Sequence, residues 1–321
     1  MSSLIYLAFI IFLVLTSLVY FRVARSYRIV DLPNHRTMHE GATIRGGGIV
    51  VLFGMIVYSL VFYNPGYYFL AGLALLGITG FLDDLIDLSG RIRFTIQAVS
   101  IVLILLQLGL IDIPVLWLIV LVVIATGVLN AFNFMDGING MTAGYSLVFV
   151  STLIYINYFV RSFIEIDFLY GYFLAIGVFC FFNFRKKAVC FAGDVGSLSI
   201  AFINVFLLMK LMDATQSFVF IFLLAIYGID TVFTIIQRLL RKENIFEAHR
   251  MHLFQVIVSN TGISHLTMTG VYMLFQAMVN LVILLILSYP LSVQGSILLG
   301  LLSLLSISYI WIKHKILAKS P

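Results

Sequence analysis

Along the chain, long runs of apolar side chains alternate with short polar connections. The runs cover 3–21, 47–63, 67–82, 95–111, 114–129, 142–160, 168–184, 196–212, 217–235, 267–288 and 291–312. A helix that crosses a bilayer needs about 20 apolar residues. The runs are continuous and lack the alternation of membrane β-barrel strands. The pattern predicts an all-α integral membrane protein, a polytopic bundle of about 10–11 transmembrane helices in a single domain over 1–321. The first run has no basic leader and no small-residue cleavage site, so it is expected to stay as a helix.

Composition narrows the class further. Of 321 residues, 62% are apolar and 10% charged, against about 45–50% and 25% in soluble domains. Such a chain has too little charge to cover a soluble surface. The charges it has also set an expected orientation, because short cytoplasmic connections collect Lys and Arg. With the N-terminus outside and the C-terminus cytoplasmic, every basic residue except Arg161 and Lys210 falls on the cytoplasmic side. Most acids fall there too, which puts the candidate chemistry in loops 22–46, 83–94, 130–141, 185–197 and 237–266. The two cysteines, Cys180 and Cys190, do not make a disulfide framework.

The first of these loops carries Asp31, Pro33, Asn34, Arg36 and His39, followed by Arg45 and three glycines. It could bind phosphate or simply meet anionic headgroups. The second carries Asp83, Asp84 and Asp87, clustered on one helical turn. Acids that close repel one another, so they call for a shared cation, or alternatively for pairing with Arg91 and Arg93. In the third, Asn130, Asn133, Asp136 and Asn139 recur at three-residue intervals beside Gly137 and Gly140. They suit either a ligand-facing helix end or an ordinary cap. The fourth joins Asn183 and the basic Arg185, Lys186 and Lys187 to Gly193, Asp194, Gly196 and Ser197. A metal-bound diphosphate would use all of these groups. The last carries His249, Arg250 and His252. Two histidines without a third ligand make a weak zinc site, so contact with phosphate or nucleotide is the better reading. His265 and His314 are read as surface or interfacial.

Taken in order, these motifs resemble the polyprenyl-phosphate N-acetylhexosamine-1-phosphate transferase family, the membrane enzymes of glycosyltransferase 4 type that begin lipid-linked glycans. The likeness runs from about Asp31 to Gln255. Its D-x-P-N-x-R pattern is met by Asp31, Pro33, Asn34 and Arg36, with His39, Gly46 and Gly47 downstream. D-D-x-x-D is met by Asp83, Asp84 and Asp87, and N-x-x-N-x-x-D-G by Asn130, Asn133, Asp136 and Gly137. G-D-x-G-S is met by Gly193, Asp194, Gly196 and Ser197, and Asp230 matches an acid typical of the helix before the histidine loop. Two positions depart from the pattern. Asn139 stands where the family usually has a second acid, and Phe254 and Gln255 replace two histidines.

The resemblance implies transfer of N-acetylhexosamine-1-phosphate from a UDP-sugar, UDP-GlcNAc or a related 6-deoxy amino sugar, to undecaprenyl phosphate. UMP is released, in the step that initiates a cell-surface glycan such as O-antigen. It implies magnesium, with manganese as a substitute, held by Asp194 with Asn133. Asp83, Asp84 and Asp136 would be the catalytic acids, and one of the first two could act as base. Substrate would be bound by Asp31, Asn34, Arg36, His39, Asp87, Asn130, Asn139, Asn183, Gly193, Ser197, His249, Arg250 and His252. The expected place is the bacterial inner membrane with the site on the cytoplasmic face. The partners expected are the two substrates, membrane lipid and, as one oligomeric option, a second copy of the chain; nothing points to nucleic acid. Two alternatives stay open: a secondary transporter using intramembrane acids such as Asp230, and the muramoyl-pentapeptide branch of the same family.

Overall fold

A computed structural model describes residues 3–31, 42–244 and 250–318. It is almost wholly helical. The helices are α1 (Ser3–Ser26), α2 (Ile49–Val61), α3 (Tyr67–Ile86), α4 (Gly90–Leu108), α5 (Val115–Met135), α6 (Met141–Phe159), α7 (Ile166–Asn183), α8 (Gly193–Thr215), α9 (Ala225–Leu240, entered through a 3-10 segment, Phe218–Leu224), α10 (Leu253–Thr261), α11 (His265–Ile286) and α12 (Leu291–Leu317). Each apolar run predicted from the sequence is helical. Among the described residues ten of them are long and apolar enough to cross a membrane. The exception is α2, whose 13 residues reach only about 20 Å.

The helices stop where the chain chemistry says they should. Gly109 and Gly262 take the left-handed conformation (φ 69° and 71°) that closes α4 and α10. Pro114 and Pro290 precede α5 and α12, and the Ser264 hydroxyl accepts from the Thr267 amide at 3.1 Å to open α11.

The bundle is organised around α8, of whose most apolar stretch 83% is buried. It packs mainly on α3 and α5, and Phe69 of α3 sets its ring against Phe202 and Phe206 at 5.6 and 4.5 Å between centroids. Polar groups tie its middle: Tyr172 donates to Asn204 at 2.8 Å, and Asn204 donates to Ser146 at 3.0 Å. Such bonds between apolar helices help fix their pairing in a bilayer. The start of α8 lies unusually close to its neighbours. A side chain on Gly80 would sit 2.7 Å from the Asp194 backbone, and Gly48 meets Gly196 backbone to backbone.

Two short strands, β1 (Val30–Asp31) and β2 (Thr43–Ile44), pair antiparallel with Asp31 opposite Thr43. The chain after β2 runs beside 190–192, with Phe191 donating to the Ile44 carbonyl at 2.8 Å and Gly47 to the Phe191 carbonyl at 2.7 Å. This lattice brings the first and fourth loops to the head of α8. One expectation changes at the other end of the chain. Lys313, counted with the basic residues of the cytoplasmic side, belongs to α12 and is only 1% exposed.

Candidate active site

The last turn of α3 delivers Asp83 and Asp84, both buried, to the N-terminus of α8. The first amides of a helix have no intrahelical partner, and Ala192, which precedes α8, offers no side-chain cap. Asp84 supplies one from another helix. Its Oδ1 accepts from the Asp194 amide at 3.0 Å and its Oδ2 from the Val195 amide at 3.2 Å, where the helix dipole also favours a negative charge. Arg45 Nε donates to Oδ1 at 2.7 Å. Burial works against the Arg45 cation, but the charges of Asp84 and Asp194 outweigh it and hold the guanidinium above its ordinary range.

Asp83 is held in a similar way, by the Leu88 amide at 2.6 Å and Arg93 Nη1 at 3.1 Å. Arg93 also reaches Asp194 Oδ2 at 3.9 Å. The pairing of the acids with basic residues therefore occurs, but Arg45 takes the place expected of Arg91. With side chains 0% and 3% exposed, Asp84 and Asp83 stand behind the open cavity rather than on it. Asp87 does not join them: it ends α3 at φ 52° and is exposed.

In front of these acids is a cavity of about 300 Å³ lined by Asp31, Arg45, Asn133, Asp136, Gly137, Ile138, Asn139, Asn183, Phe191, Gly193, Asp194, Ser197, Gln255 and His265. Seven separate stretches of chain, at 31, 45, 133–139, 183, 191–197, 255 and 265, converge there. Asn133, on the last turns of α5, donates to Asp194 Oδ1 at 2.9 Å and to Ser197 Oγ at 3.1 Å. Asn130, one turn earlier, faces away and bonds Gln97 of α4 at 2.7 Å and the Thr126 carbonyl at 2.9 Å. Asp136 follows the end of α5. Although part of it faces the cavity it lies deep in the protein, and this burial pushes its carboxyl up to about 7; the Asp84 charge adds to the rise and the Thr142 side chain opposes it.

Asn183 and Asn139 are both lining and scaffold. Asn183 accepts from the Gly140 amide at 2.8 Å and donates to the Cys190 carbonyl at 2.9 Å, stapling the third loop to the fourth. Gly140 is at φ 81°, where other residues are strained. Asn139 donates to the carbonyls of Arg185 at 2.7 Å and Lys186 at 3.3 Å. A carboxylate has no hydrogen to give them, so the amide at this position has a structural reason.

The last loop is placed differently from expectation. His252 is 2% exposed and its Nδ1 lies 3.2 Å from Asp230 Oδ1, away from the cavity. Arg250 is half-buried and does not line the cavity. Asn34, Arg36, His39 and His249 lie outside the described residues. The cavity instead receives Gln255 from α10 and His265 from the first turn of α11. Sequence reasoning named Arg45 and Gln255 without assigning either to the site, and it read His265 as surface or interfacial. For Arg45 the signal was its position directly before a glycine run; for His265, read as a surface residue, only the tight α10–α11 turn brings it in.

The ionisable lining is three carboxylates, Asp31, Asp136 and Asp194, against Arg45 and His265. Asp83 and Asp84 lie within electrostatic reach of Asp194. Carboxylates so close are stabilised by a cation between them. Among the described residues no three His, Cys, Asp or Glu side chains form a ready-made metal cluster. The donor set suits a cation bound by one carboxylate together with ligand oxygens, as magnesium usually is.

Residues 67–212 match the model of glycosyl transferase family 4. The chain is 27% identical over 267 residues to the probable undecaprenyl-phosphate N-acetylglucosaminyl 1-phosphate transferase of Bacillus subtilis (strain 168), covering 76% of this chain and 73% of that one. It is 28% identical over 274 residues to the undecaprenyl-phosphate alpha-N-acetylglucosaminyl 1-phosphate transferase of Escherichia coli (strain K12), covering 77% and 74%. The Yersinia pestis protein of the same description is 26% identical over 279 residues, covering 78% and 76%. The matched segment holds Asp83, Asp84, Asn133, Asp136 and Asp194 together with the helices that present them, and over this stretch the chain is similar to glycosyl transferase family 4.

Proposed function

We propose that the protein transfers N-acetylhexosamine-1-phosphate from a UDP-N-acetylhexosamine to undecaprenyl phosphate and releases UMP. The observation that carries this reading is the acid-rich cavity at the head of α8, flanked by Arg45 and His265. Its carboxylates need a divalent cation, and its cations and amides suit the diphosphate that brings one. In the reaction a phosphate oxygen of the lipid attacks the β-phosphorus of the nucleotide sugar. The bond from that phosphorus to the oxygen shared with the α-phosphate breaks, and UMP leaves with the bond's electron pair. One diphosphate replaces another, so the work is positioning and charge neutralisation.

Asp194 would hold magnesium, or manganese in its place, with Asn133 fixing the Asp194 carboxylate. The bound ion would draw charge from the diphosphate oxygens. Asp31, Asp136, Ser197 and Gly193 line the donor's place. Arg45, oriented by Asp84, would meet the lipid phosphate, while Asp83 holds Arg93 beside Asp194. The lipid phosphate, with a second pKa of about 6 by analogy with phosphoserine, is already largely charged at neutral pH. A strong base is therefore not needed, which fits carboxylates already engaged by amides and guanidinium groups.

The distribution of Lys and Arg supports a site on the cytoplasmic face of a bacterial inner membrane. The product would start a lipid-linked surface glycan. The test is purified protein with magnesium, undecaprenyl phosphate and a panel of UDP-amino sugars. Magnesium-dependent UMP release with one sugar supports the reading and names the donor. Release with UDP-muramoyl-pentapeptide alone would move the protein to that branch, and no release with any donor would overturn the reading.

A further inference from the structure

The bundle holds a second polar cluster, buried and apart from the cavity. Its centre is Asp230 of α9, 1% exposed. Asp230 Oδ1 accepts from the Leu253 amide at 2.9 Å, the first residue of α10, and lies 3.2 Å from His252 Nδ1. A carboxylate accepts, so the imidazole carries its proton on Nδ1. Oδ2 accepts from the Tyr272 hydroxyl of α11 at 2.6 Å. From α12, the Tyr309 hydroxyl approaches Oδ1 at 3.2 Å, and Lys313 Nζ donates to Tyr309 at 2.8 Å and to Thr234 at 3.3 Å. Charged groups this deep in a membrane protein are costly unless paired, and here four helices contribute to one carboxylate.

The cluster points toward the cavity through α10. The His252 amide donates to Gln255 Oε1 at 3.2 Å, which fixes that side chain while it lines the cavity. The Phe254 ring is packed where a side chain on Gly137 would come within 3.0 Å of it. The start of α10 is therefore set by Asp230 on one side and meets the third loop on the other.

We infer that Asp230 is a positioning residue for the nucleotide-sugar side of the cavity, and that Tyr309 and Lys313 of α12 hold it in place. Asp230 touches no substrate; it anchors the His252–Leu253 step so that Gln255 and Phe254 complete the wall beside Gly137. The inference rests on the proposed transferase reading for its kinetic consequence, but not for the anchoring itself.

The experiment uses the full-length protein and the variants Asp230→Asn, Lys313→Met, Lys313→Arg and Tyr309→Phe. In steady-state UMP release, Asp230→Asn is expected to raise KM for the UDP-sugar about tenfold, with kcat and the KM for undecaprenyl phosphate changed less than about twofold. Lys313→Met and Tyr309→Phe should shift the same constant in the same direction by less, and Lys313→Arg should recover it. In parallel, hydrogen exchange of the amides around Leu253 should speed up in Asp230→Asn and Lys313→Met. A uniform fall in kcat with both KM values unmoved, or silent kinetics, would overturn the positioning role. Unchanged exchange at Leu253 would overturn the anchor. If Asp230→Asn does not fold, the α12 variants decide on the same two readouts. If wild-type protein releases no UMP while exchange responds as stated, the transferase reading fails and the anchor stands.

Discussion

Asn133 on α5 donates to Asp194 on α8 at 2.9 Å, joining the ends of two membrane helices at one carboxylate oxygen. The other oxygen faces Arg93 at 3.9 Å. Asp194→Asn keeps the shape but removes the charge, and with it the reason for a divalent cation to bind. We expect UMP release to fall by about a hundredfold or more, with the melting temperature in detergent nearly unchanged. Wild-type protein should lose activity to a chelator and regain it with magnesium. Full activity of Asp194→Asn would sink the assignment.

Asp136, raised to about 7 by burial, gives two pH signatures. If its carboxylate serves the bound nucleotide or metal, kcat/KM should climb as pH rises through about 7, and Asp136→Asn should flatten that limb. The stability effect has the opposite slope. An unfolded Asp titrates near 3.9, so between about 4 and 7 the folded state holds a proton that the unfolded state has released. Stability should fall as pH rises across that window. Melting curves at pH 5 and 8 test this, and Asp136→Asn should narrow the difference between them.

Arg45 and Asp84 separate anchoring from chemistry. Asp84→Ala strips the cap from the Asp194 and Val195 amides and removes the buried partner of the Arg45 guanidinium, which is itself 39% exposed, so a loss of about 1–3 kcal/mol is expected. Asp84→Asn still offers one acceptor and should cost less. Thermal melting ranks the two. Arg45→Gln should fold and act mainly on the KM for undecaprenyl phosphate.

Placing an acid at position 139 should harm this protein. Asn139→Asp would point a carboxylate at the Arg185 and Lys186 carbonyls, now bonded at 2.7 and 3.3 Å. A loss of about 1–3 kcal/mol is expected, read as a lower melting temperature, with no gain in UMP release. A more active variant would contradict the scaffold role.

Every helix but α10 was legible because it is a continuous apolar run, and only length told the 13-residue α2 from a full span. The core of the site was legible because Asp83, Asp84, Asn133, Asp136 and Asp194 stand in short ordered motifs. Which motif residues face the cavity was not. Asn130 and Asn133 share a spacing, yet one bonds Gln97 and the other Asp194, a choice made by where α4 and α8 pack. His252 and His265 exchanged roles for a similar reason: Asp230, 22 residues before His252, draws it into the interior, while a turn at Gly262 carries His265 to the cavity. Local pattern carries no information about such long-range partners.

The burial of α8 has a consequence for how freely the sequence can drift. In α12 only 11% of the apolar stretch is buried, against 83% in α8. Most positions of α12 need only remain apolar, since hydrocarbon accepts Leu, Ile, Val or Phe alike, and its variation should stop sharply at Gln294, Leu298, Tyr309 and Lys313, the four buried residues. In α8 almost every position from Val195 to Leu208 is buried, so a change of one methylene is felt on some neighbour. A saturation library scored for function should therefore show α8 as a nearly unbroken band of intolerance and α12 as a permissive helix with a few fixed points.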